Sequence, residues 1–276
     1  MTLRRRRSCL FLPASNPRAL AKAKTLPCDV VILDLEDAVA PDMKAAARDA
    51  AVAAKGFGDR ELIVRVNGGD TPWAADDLAA LTGAGVDGVL LPKVGSVADV
   101  ARARDALGPG PALWAMIESA RGLVALPALA DAAADLGLGV LVAGVNDLAI
   151  DLRCQPDASR APLLTALSQI VVAARAGGMA AVDGVLNAID DADRLTAECV
   201  QGRMWGFDGK SLIHPGQIEA ANIAFGPSAQ DVAWARQVVA AFADPEAESR
   251  GAIRIDGAMA ERLHLAEAER IIASSR

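Results

Sequence analysis

The feature that most constrains the fold is an alternation of short apolar runs with alanine- and leucine-rich segments. Eight runs have the composition of strands; they are SCLFLP (8–13), DVVILDLE (29–36), ELIVRVN (61–67), VDGVLLPK (86–93), PALWAMIE (111–118), LGVLVAG (138–144), MAAVDGV (179–185) and GRMWGFDG (202–209). Most intervening segments, such as ADDLAALTGAG, have helical periodicity. Near-continuous apolar strands that alternate with helices indicate a parallel sheet covered on both faces. Eight such repeats, each of about 20 to 40 residues, favour a closed (β/α)₈ TIM barrel.

Beyond the eighth run the pattern changes. Ser228 is expected to cap a helix in AQDVAWARQVVAAF, and AERLHLAEAERIIASS predicts a second amphipathic helix after the polar stretch AESRGAIRIDGAM. We therefore predict a barrel over residues 1–225 and a C-terminal helical extension over 226–276. The extension is expected to act as a lid or to pack on a neighbouring subunit.

Composition excludes several classes of function. A net charge of −7, 3% aromatic residues and the absence of tyrosine argue against a nucleic-acid partner. The sequence has no charge-free apolar window of about 20 residues, so no transmembrane helix is predicted. No secretory signal is expected either. The four cysteines lack the spacing of a zinc site or a disulfide framework. A reducing cytoplasm is therefore the expected setting.

Polar residues gather where the predicted strands end, and barrel enzymes place their active sites at that rim. They are Asp34, Glu36, Asp37, Arg65, Asn67, Lys93, Glu118, Asn146, Asp147, Asp183, Asp208 and Lys210. The fifth and sixth strands lead to Glu118 and Asp147. Because the carboxyl ends of parallel strands meet at one rim, these two carboxylates are predicted to face one cavity.

Two carboxylates without a basic partner nearby in sequence suit a hard, oxygen-preferring cation such as Mg²⁺. Arg65 can hold a substrate carboxylate through two parallel hydrogen bonds. Glu36 and Asp37 are acid–base candidates, or they orient Arg65 and the waters of the cation. The alternative for Asp34, Glu36 and Asp37 is a capped helix start with an acidic first turn, and it applies least to Glu36.

A 2-oxo or 2-hydroxy acid fits between such a cation and Arg65. Negative charge on its oxygen would be stabilised while a neighbouring carbon–carbon bond breaks or forms. This is the chemistry of a metal-dependent aldolase or a Claisen-type lyase. No GxGxxG motif follows the first strand, and GAGVDG (83–88) is expected to be a helix-to-strand turn, which argues against dinucleotide binding. P-loop, HExxH and GxSxG motifs are absent from the sequence, which argues against those alternatives.

Several motifs together resemble the citrate lyase β-subunit-like proteins of the HpcH/HpaI aldolase superfamily. They are RSCLFLPASNPRAL, DVVILDLEDAV, RVN (65–67), GVLLPKV, MIESARGL, DLAIDL, GFDGKSLIHPGQI and the GAIRIDGAM tail. The resemblance covers nearly the whole chain and keeps the order of the motifs. It implies a (β/α)₈ barrel in trimers or multiples of trimers, Mg²⁺ at Glu118 and Asp147, and a substrate carboxylate at Arg65. It also implies a substrate carried as a thioester on CoA or on an acyl carrier.

The chain departs from the family pattern at two places. Asn146 stands where relatives usually have an acidic residue before the aspartate of the sixth strand. Met259, Ala260 and Glu261 replace a Met-Ile-Asp segment whose aspartate is, in the family, a proton donor to a neighbour's active site. Glu261 carries the same carboxyl group one methylene further out, so it is either that proton donor or a plain surface charge.

The sequence therefore predicts a Mg²⁺-dependent carbon–carbon lyase. Its substrate would be a short 3-hydroxyacyl-CoA with a second carboxylate, of malyl-, citramalyl- or citryl-CoA type, and its products a 2-oxo acid and an acyl-CoA. Glu36, Asp37 and Glu261 are the predicted catalytic residues. Two alternatives stay open: a class II pyruvate-type aldolase on free 4-hydroxy-2-oxo acids, and a citrate lyase β-like subunit or ligand-binding protein that does not act alone. A histidine usually stands at the position of Asp37 in the aldolases, which counts against the first.

Overall fold

A computed structural model describes residues 4–243, 252–255 and 258–275. Eight parallel strands form a closed barrel in chain order, and β8 pairs with β1 to close it. The strands are β1 (Ser8–Pro13), β2 (Val30–Asp34), β3 (Glu61–Arg65), β4 (Gly88–Leu91), β5 (Ala112–Ile117), β6 (Leu138–Ala143), β7 (Ala180–Asp183) and β8 (Gly209–Leu212). The predicted (β/α)₈ barrel is confirmed.

Helices connect the strands and cover the barrel. They are α1 (Pro17–Ala23), α2 (Lys44–Ala53), α3 (Ala74–Leu81), α4 (Val97–Leu107), α5 (Ala120–Leu136), α6 (Val145–Asp151), α7 (Leu164–Ala176), α8 (Ala192–Met204) and α9 (Ile218–Phe225), with short 3₁₀ turns at Pro41–Met43, Ala161–Leu163 and Pro215–Gln217. Local sequence sets their ends. Ser119 accepts a hydrogen bond from the backbone of Gly122 at the start of α5, and Gly137 ends that helix with a φ of 63°.

The interior of the barrel is apolar. Side chains from seven strands form one buried cluster, which contains Cys9, Val30, Ile32, Ile63, Leu90, Trp114, Met116, Val140, Val142 and Val182. Several of these residues are spaced by two along a strand, so they share one face of the sheet. This packed layer closes the barrel below the rim that carries the polar residues.

The predicted position of the eighth strand is wrong. Residues 202–204 form the last turn of α8, and the strand begins at Gly209. Its sequence, GKSL, lacks an apolar run because Lys210 and Ser211 are buried polar residues. Gly209 is required by close packing, since a Cβ atom there would lie 1.8 Å from the carbonyl oxygen of Arg6.

The described residues divide into two compact units. The larger is Arg6–Asn222, and the smaller contains described residues of Met1–Arg5 and Ile223–Arg276. The smaller unit holds α10 (Ala229–Phe242), a two-stranded antiparallel sheet of β9 (Ala252–Ile255) and β10 (Ala258–Glu261), and α11 (Arg262–Ser274). As predicted, Ser228 caps the first of these helices.

The polar stretch AESRGAIRIDGAM contributes strand residues to this sheet at 252–255 and 258–259; its remaining residues lie outside the described part of the chain. A small apolar core of Ala235, Val238, Phe242, Ala260 and Ala268 holds the unit together. No helix within the described residues has the length and apolar character needed to cross a membrane.

Candidate active site

A cavity of about 410 Å³ opens at the carboxyl ends of the strands. Four predicted site residues line it: Asp37, Arg65, Glu118 and Asp147. A fifth, Glu36, contacts Arg65 directly. Glu261 belongs to the smaller unit, where it ends β10 and precedes α11. The proposed metal, substrate and acid–base residues of the barrel rim therefore lie at or beside one cavity, while the role of Glu261 stays a prediction.

Arg65 is held in place by Asp34. The two residues are paired in the β2–β3 register, and Nε and Nη2 of Arg65 donate to the two carboxylate oxygens of Asp34 at 2.7 Å each. Asp34 also accepts hydrogen bonds from the backbone N–H groups of Glu36 and Ala38. Asp34 therefore fixes the following loop and orients the guanidinium; the alternative of a capped helix start at this position is wrong, because the next helical turn begins at Pro41. Both side chains are buried.

Glu36 lies on the other side of the same guanidinium. Its Oε2 atom is 2.9 Å from Nη1 of Arg65, without the geometry of a hydrogen bond, and has no hydrogen-bond partner. Burial raises the pKa of Glu36 to about 8; Arg65 opposes this shift and Asp37 adds to it. Asp37 is mostly exposed and lies 3.5 Å from Arg65. A carboxyl group with a pKa near the working pH suits acid–base chemistry.

Sequence reasoning missed Lys44, which fixes the loop that carries Glu36. Its buried ammonium donates to the backbone oxygens of Leu35 and Glu36 and to Oδ1 of Asn67, at 2.7 Å in each case. Asn67 in turn donates to Asp77. Asn67 was predicted at the rim, and the structure gives it this supporting position behind the cavity. The lysine gave no signal in the sequence because it lies in a helix start far from any strand end.

Glu118 directly follows β5, whereas Asp147 lies in the first turn of α6 rather than at a strand end. Gly144 makes room for Glu118, since a Cβ atom at Gly144 would lie 2.4 Å from the Cβ and 2.7 Å from the Oε2 of the glutamate. Burial raises the pKa of Glu118 to about 7; the backbone N–H of Lys93 opposes this shift and Asp147 adds to it.

The carboxylate pair has a basic partner, Lys93, that is distant in sequence from both residues. Its backbone N–H donates to Oε1 of Glu118 at 2.6 Å, and its ammonium donates to Oδ2 of Asp147 at 2.8 Å. Lys93 also has a φ of 52°, which is uncommon for a residue other than glycine. Lys93 follows β4, the neighbour of β5, which leads to Glu118, and its side chain extends past β5 to Asp147.

The donor set fits a magnesium ion. Within the described residues, no group of three or more His, Cys, Asp or Glu side chains is placed to hold a metal. Glu118 and Asp147 together offer carboxylate oxygens only. Mg²⁺ is commonly held by one or two carboxylates and completes its shell with water and substrate oxygens. The space beside Gly144 lets a carboxylate oxygen of Glu118 reach the cavity without a clash.

Asn146 and Asn187 form a second wall of the cavity. Each side-chain amide donates to the other, at 3.3 and 2.9 Å, and both residues line the cavity. The neutral pair joins the first turn of α6 to the loop after β7. Asn187 was not among the residues expected from the sequence, because it lies four residues beyond the end of its strand.

Three predicted rim residues lie elsewhere. Asp183 is fully buried and pairs with both Arg160 and Lys210, and Lys210 also pairs with Glu198. This buried ionic cluster ties β7 and β8 to α8. Asp208 precedes β8 and binds Arg175. Misplacing the eighth strand caused the wrong prediction for Asp208 and Lys210.

A barrel with an anchored arginine and a carboxylate pair at its C-terminal rim defines an enzyme scaffold of the aldolase and lyase type. The chain belongs to the HpcH/HpaI aldolase/citrate lyase family, whose sequence pattern matches residues 7–215. The resemblance inferred from the motifs is therefore confirmed, and the predicted carbon–carbon lyase class agrees with the family description.

Individual relatives are similar over nearly the full chain. A (3S)-malyl-CoA thioesterase of Cereibacter sphaeroides is 45% identical, over 98% of this chain and 94% of the relative. The citrate lyase subunit beta of Leuconostoc mesenteroides subsp. cremoris is 33% identical, over 98% and 93%. The crystal structure of CitE from Mycobacterium tuberculosis, in complex with magnesium, acetoacetate and coenzyme A, superposes with a TM-score of 0.79 at 37% identity and covers 97% of each chain.

Proposed function

We propose that this protein is a Mg²⁺-dependent lyase acting on a short 3-hydroxyacyl-CoA that bears a second carboxylate, of malyl-CoA type. The observation that carries the proposal is the meeting of Arg65, oriented by Asp34, with Glu118 and Asp147 at one cavity. An arginine that binds an anion, next to a carboxylate pair that can hold a metal ion, suits a substrate with both a carboxylate and an adjacent oxygen. The similarity to a malyl-CoA thioesterase and to a CitE bound to magnesium and coenzyme A supports this choice.

Glu118 and Asp147 would hold the magnesium ion. When bound there, the ion supplies stabilisation of negative charge on the oxygen next to the substrate carboxylate. Arg65 binds the carboxylate through its guanidinium, and Asp34 keeps that group from rotating. The cavity offers about 410 Å³, enough for the dicarboxylic acyl portion of such a substrate.

The cleavage step moves two protons. The 3-hydroxyl proton passes to Glu36 or Asp37, the C2–C3 bond breaks, and its electrons form the thioester enolate while C3 becomes the carbonyl of a 2-oxo acid. The enolate carbon then takes a proton, and the products are the 2-oxo acid and an acyl-CoA. In its ionised form Glu36 can accept this proton, and its pKa of about 8 means that the ionised form increases as pH rises through neutral.

Glu261 is proposed to protonate the enolate in a neighbouring subunit of a trimer or hexamer. Met259 and Leu263, on either side of it, are exposed apolar residues, which supports packing of this segment against another copy. We also propose a cytoplasmic setting, which the four unpaired cysteines support. Mixing the inactive variants Asp147→Asn and Glu261→Gln tests the shared site. Activity should return on mixing if Glu261 serves a neighbour, and no recovery would contradict this.

A second candidate is hydrolysis of the same thioester. The 45% identical relative is named a thioesterase, and this favours the candidate. In that reaction water adds to the thioester carbonyl and coenzyme A leaves as the free thiol, while the carbon–carbon bond stays intact. The same anchored arginine and carboxylate pair would position the substrate for either outcome.

The deciding experiment measures products from malyl-, citramalyl- and citryl-CoA with Mg²⁺ and with EDTA. A lyase releases a 2-oxo acid and an acyl-CoA, whereas a thioesterase releases free thiol and a hydroxydicarboxylic or hydroxytricarboxylic acid. Asp147→Asn should abolish turnover, and Asp190→Asn, an exposed aspartate outside the cavity, should not. Turnover that persists in EDTA would refute the metal assignment.

Two further outcomes would replace the proposal. Turnover of free 4-hydroxy-2-oxo acids, without activity on any thioester, would establish the pyruvate-type aldolase. Binding of Mg²⁺ and a 2-oxo acid without any turnover would favour a subunit that needs other chains or an acyl carrier.

A further inference from the structure

We propose that Lys93 competes with the divalent cation for Asp147. The ammonium of Lys93 must leave Asp147 before the ion binds fully. The inference rests on the proposed assignment of Glu118 and Asp147 as the magnesium ligands. Lys93 contacts both carboxylates, Glu118 through its backbone N–H at 2.6 Å and Asp147 through its ammonium at 2.8 Å. A positive charge therefore already lies on one of the two proposed ligands.

The backbone at Lys93 fixes this arrangement. Its φ of 52° is a left-handed conformation that residues other than glycine adopt infrequently. The bond from its N–H to the buried Glu118 holds that conformation, and Val94, which is buried, anchors the chain on the other side. Such local strain persists where the surroundings determine it and is concentrated at functional positions. The backbone of Lys93 is thus fixed by its bond to Glu118, and its side chain extends from there to Asp147.

The charge distribution explains why a cation belongs at this position. Asp34, Glu36, Asp37, Glu118 and Asp147 gather at this rim, and both carboxylate oxygens of Asp34 are engaged by Arg65. The charges of Asp147, Glu118 and Glu36 all favour the charged form of Lys93. The ammonium therefore relieves repulsion between the proposed ligands.

Exchange with a divalent ion is feasible because the ion pair is only half buried. The side chain of Lys93 is 50% exposed and that of Asp147 is 39% exposed. An exposed ion pair is weak, and the long lysine side chain can move its charge into solvent. Once a divalent ion is bound to Asp147, the ammonium and the ion repel each other. The lysine thus lowers divalent affinity and keeps the carboxylates in position before binding.

The test measures divalent affinity directly, without turnover. Mg²⁺ binding by calorimetry and Mn²⁺ binding by electron paramagnetic resonance are compared in the wild type, Lys93→Met and Lys55→Met. Lys93→Met should bind both ions about three- to fivefold more tightly, the upper end of the effect of an exposed ion pair. Lys55→Met removes the same charge from an exposed position outside the cavity and should leave affinity unchanged.

A second variant guards against misfolding of the first. Lys93→Gly removes the ammonium and accepts the left-handed backbone without strain, so the N–H bond to Glu118 is retained. It should also bind Mg²⁺ more tightly. A purely structural lysine would instead weaken binding when removed, and unchanged or weaker affinity in both variants would overturn the inference. A wild type that binds no divalent ion would overturn the metal assignment and the inference together, whereas binding without turnover would count only against the proposed reaction.

Discussion

Replacing Gly144 by alanine should disable the proposed magnesium site through a steric clash alone. Gly144 has φ −92° and ψ 72°, a conformation without a positive φ, so alanine meets no left-handed strain there. The added Cβ would lie 2.4 Å from the Cβ of Glu118, 2.7 Å from its Oε2 and 3.1 Å from Cγ of Met116. The variant therefore acts on the position of the Glu118 carboxylate.

The size of the effect follows from these distances. Carbon atoms in contact lie about 3.5 to 4.0 Å apart, so Glu118 must retreat by roughly 1 Å or more. Overpacking of this kind costs about 1 to 3 kcal/mol of unfolding free energy. For a domain of this size that cost lowers Tm by roughly 3 to 10 °C. A misplacement of about 1 Å at a reacting group can cost roughly 100-fold in activity, so kcat/KM should fall by about that factor.

The control is Gly139, which lies in β6, the strand that immediately precedes Gly144. A Cβ atom at Gly139 would meet only the carbonyl oxygen of Leu113, at 4.0 Å. Gly139→Ala should therefore keep Mg²⁺ affinity and kcat/KM, and it should gain about 0.5 to 1 kcal/mol from the lower chain entropy of alanine. Calorimetry with Mg²⁺, thermal unfolding and steady-state kinetics on both variants test the reasoning. Wild-type affinity and kcat/KM in Gly144→Ala would refute it.

Three further predictions concern the charged groups. In EDTA, Tm should fall as pH rises from about 5 to about 8. The reason is that the folded state keeps the proton of Glu36 (pKa about 8), whereas the unfolded chain loses it near pH 4.3. Thermal scans of Glu36→Gln should show a weaker dependence of Tm on pH. Asp34→Asn should cost about 3 to 5 kcal/mol in urea unfolding by removing the bidentate ionic partner of the buried Arg65, whereas the exposed Asp37→Asn should cost less than about 1 kcal/mol. Lys210→Met should cost about 3 kcal/mol or more by the same assay, with kcat per folded molecule unchanged because Lys210 lies outside the cavity.

Much of the barrel was predictable because buried parallel strands keep an apolar signature. Seven strands were recognised from their runs, and β8 was missed because its buried positions include Lys210, whose charge is compensated by Asp183 of β7 and Glu198 of α8. A sequence window cannot show such compensation. The same limit led to the prediction that Asp183 lies at the cavity.

The sequence predicted which residues form the candidate site better than it predicted the contacts between them. Arg65 and Glu118 follow from the rule that rim residues of a barrel come from strand ends. The contacts that orient them arise between different repeats: Asp34 holds Arg65 across the β2–β3 register, and Lys93, after β4, donates to Asp147 in α6. The left-handed backbone of Lys93 and the close approach of Glu118 to Gly144 arise from packing, so no local sequence pattern predicts them.

The closing seam of the barrel also has a consequence for biosynthesis. β8 pairs with β7 at two positions and with β1 at three, whereas β1 and β2 pair at five. Lys210 lies at this seam, and its buried charge needs Glu198 of α8 in place. The free edge of β1 pairs with β8, which is synthesised roughly 200 residues later. At about 5 to 20 residues per second, this edge stays unpaired for roughly 10 to 40 seconds. During translation the nascent barrel therefore exposes an open strand edge, and its closure requires the last strand and α8 to dock together.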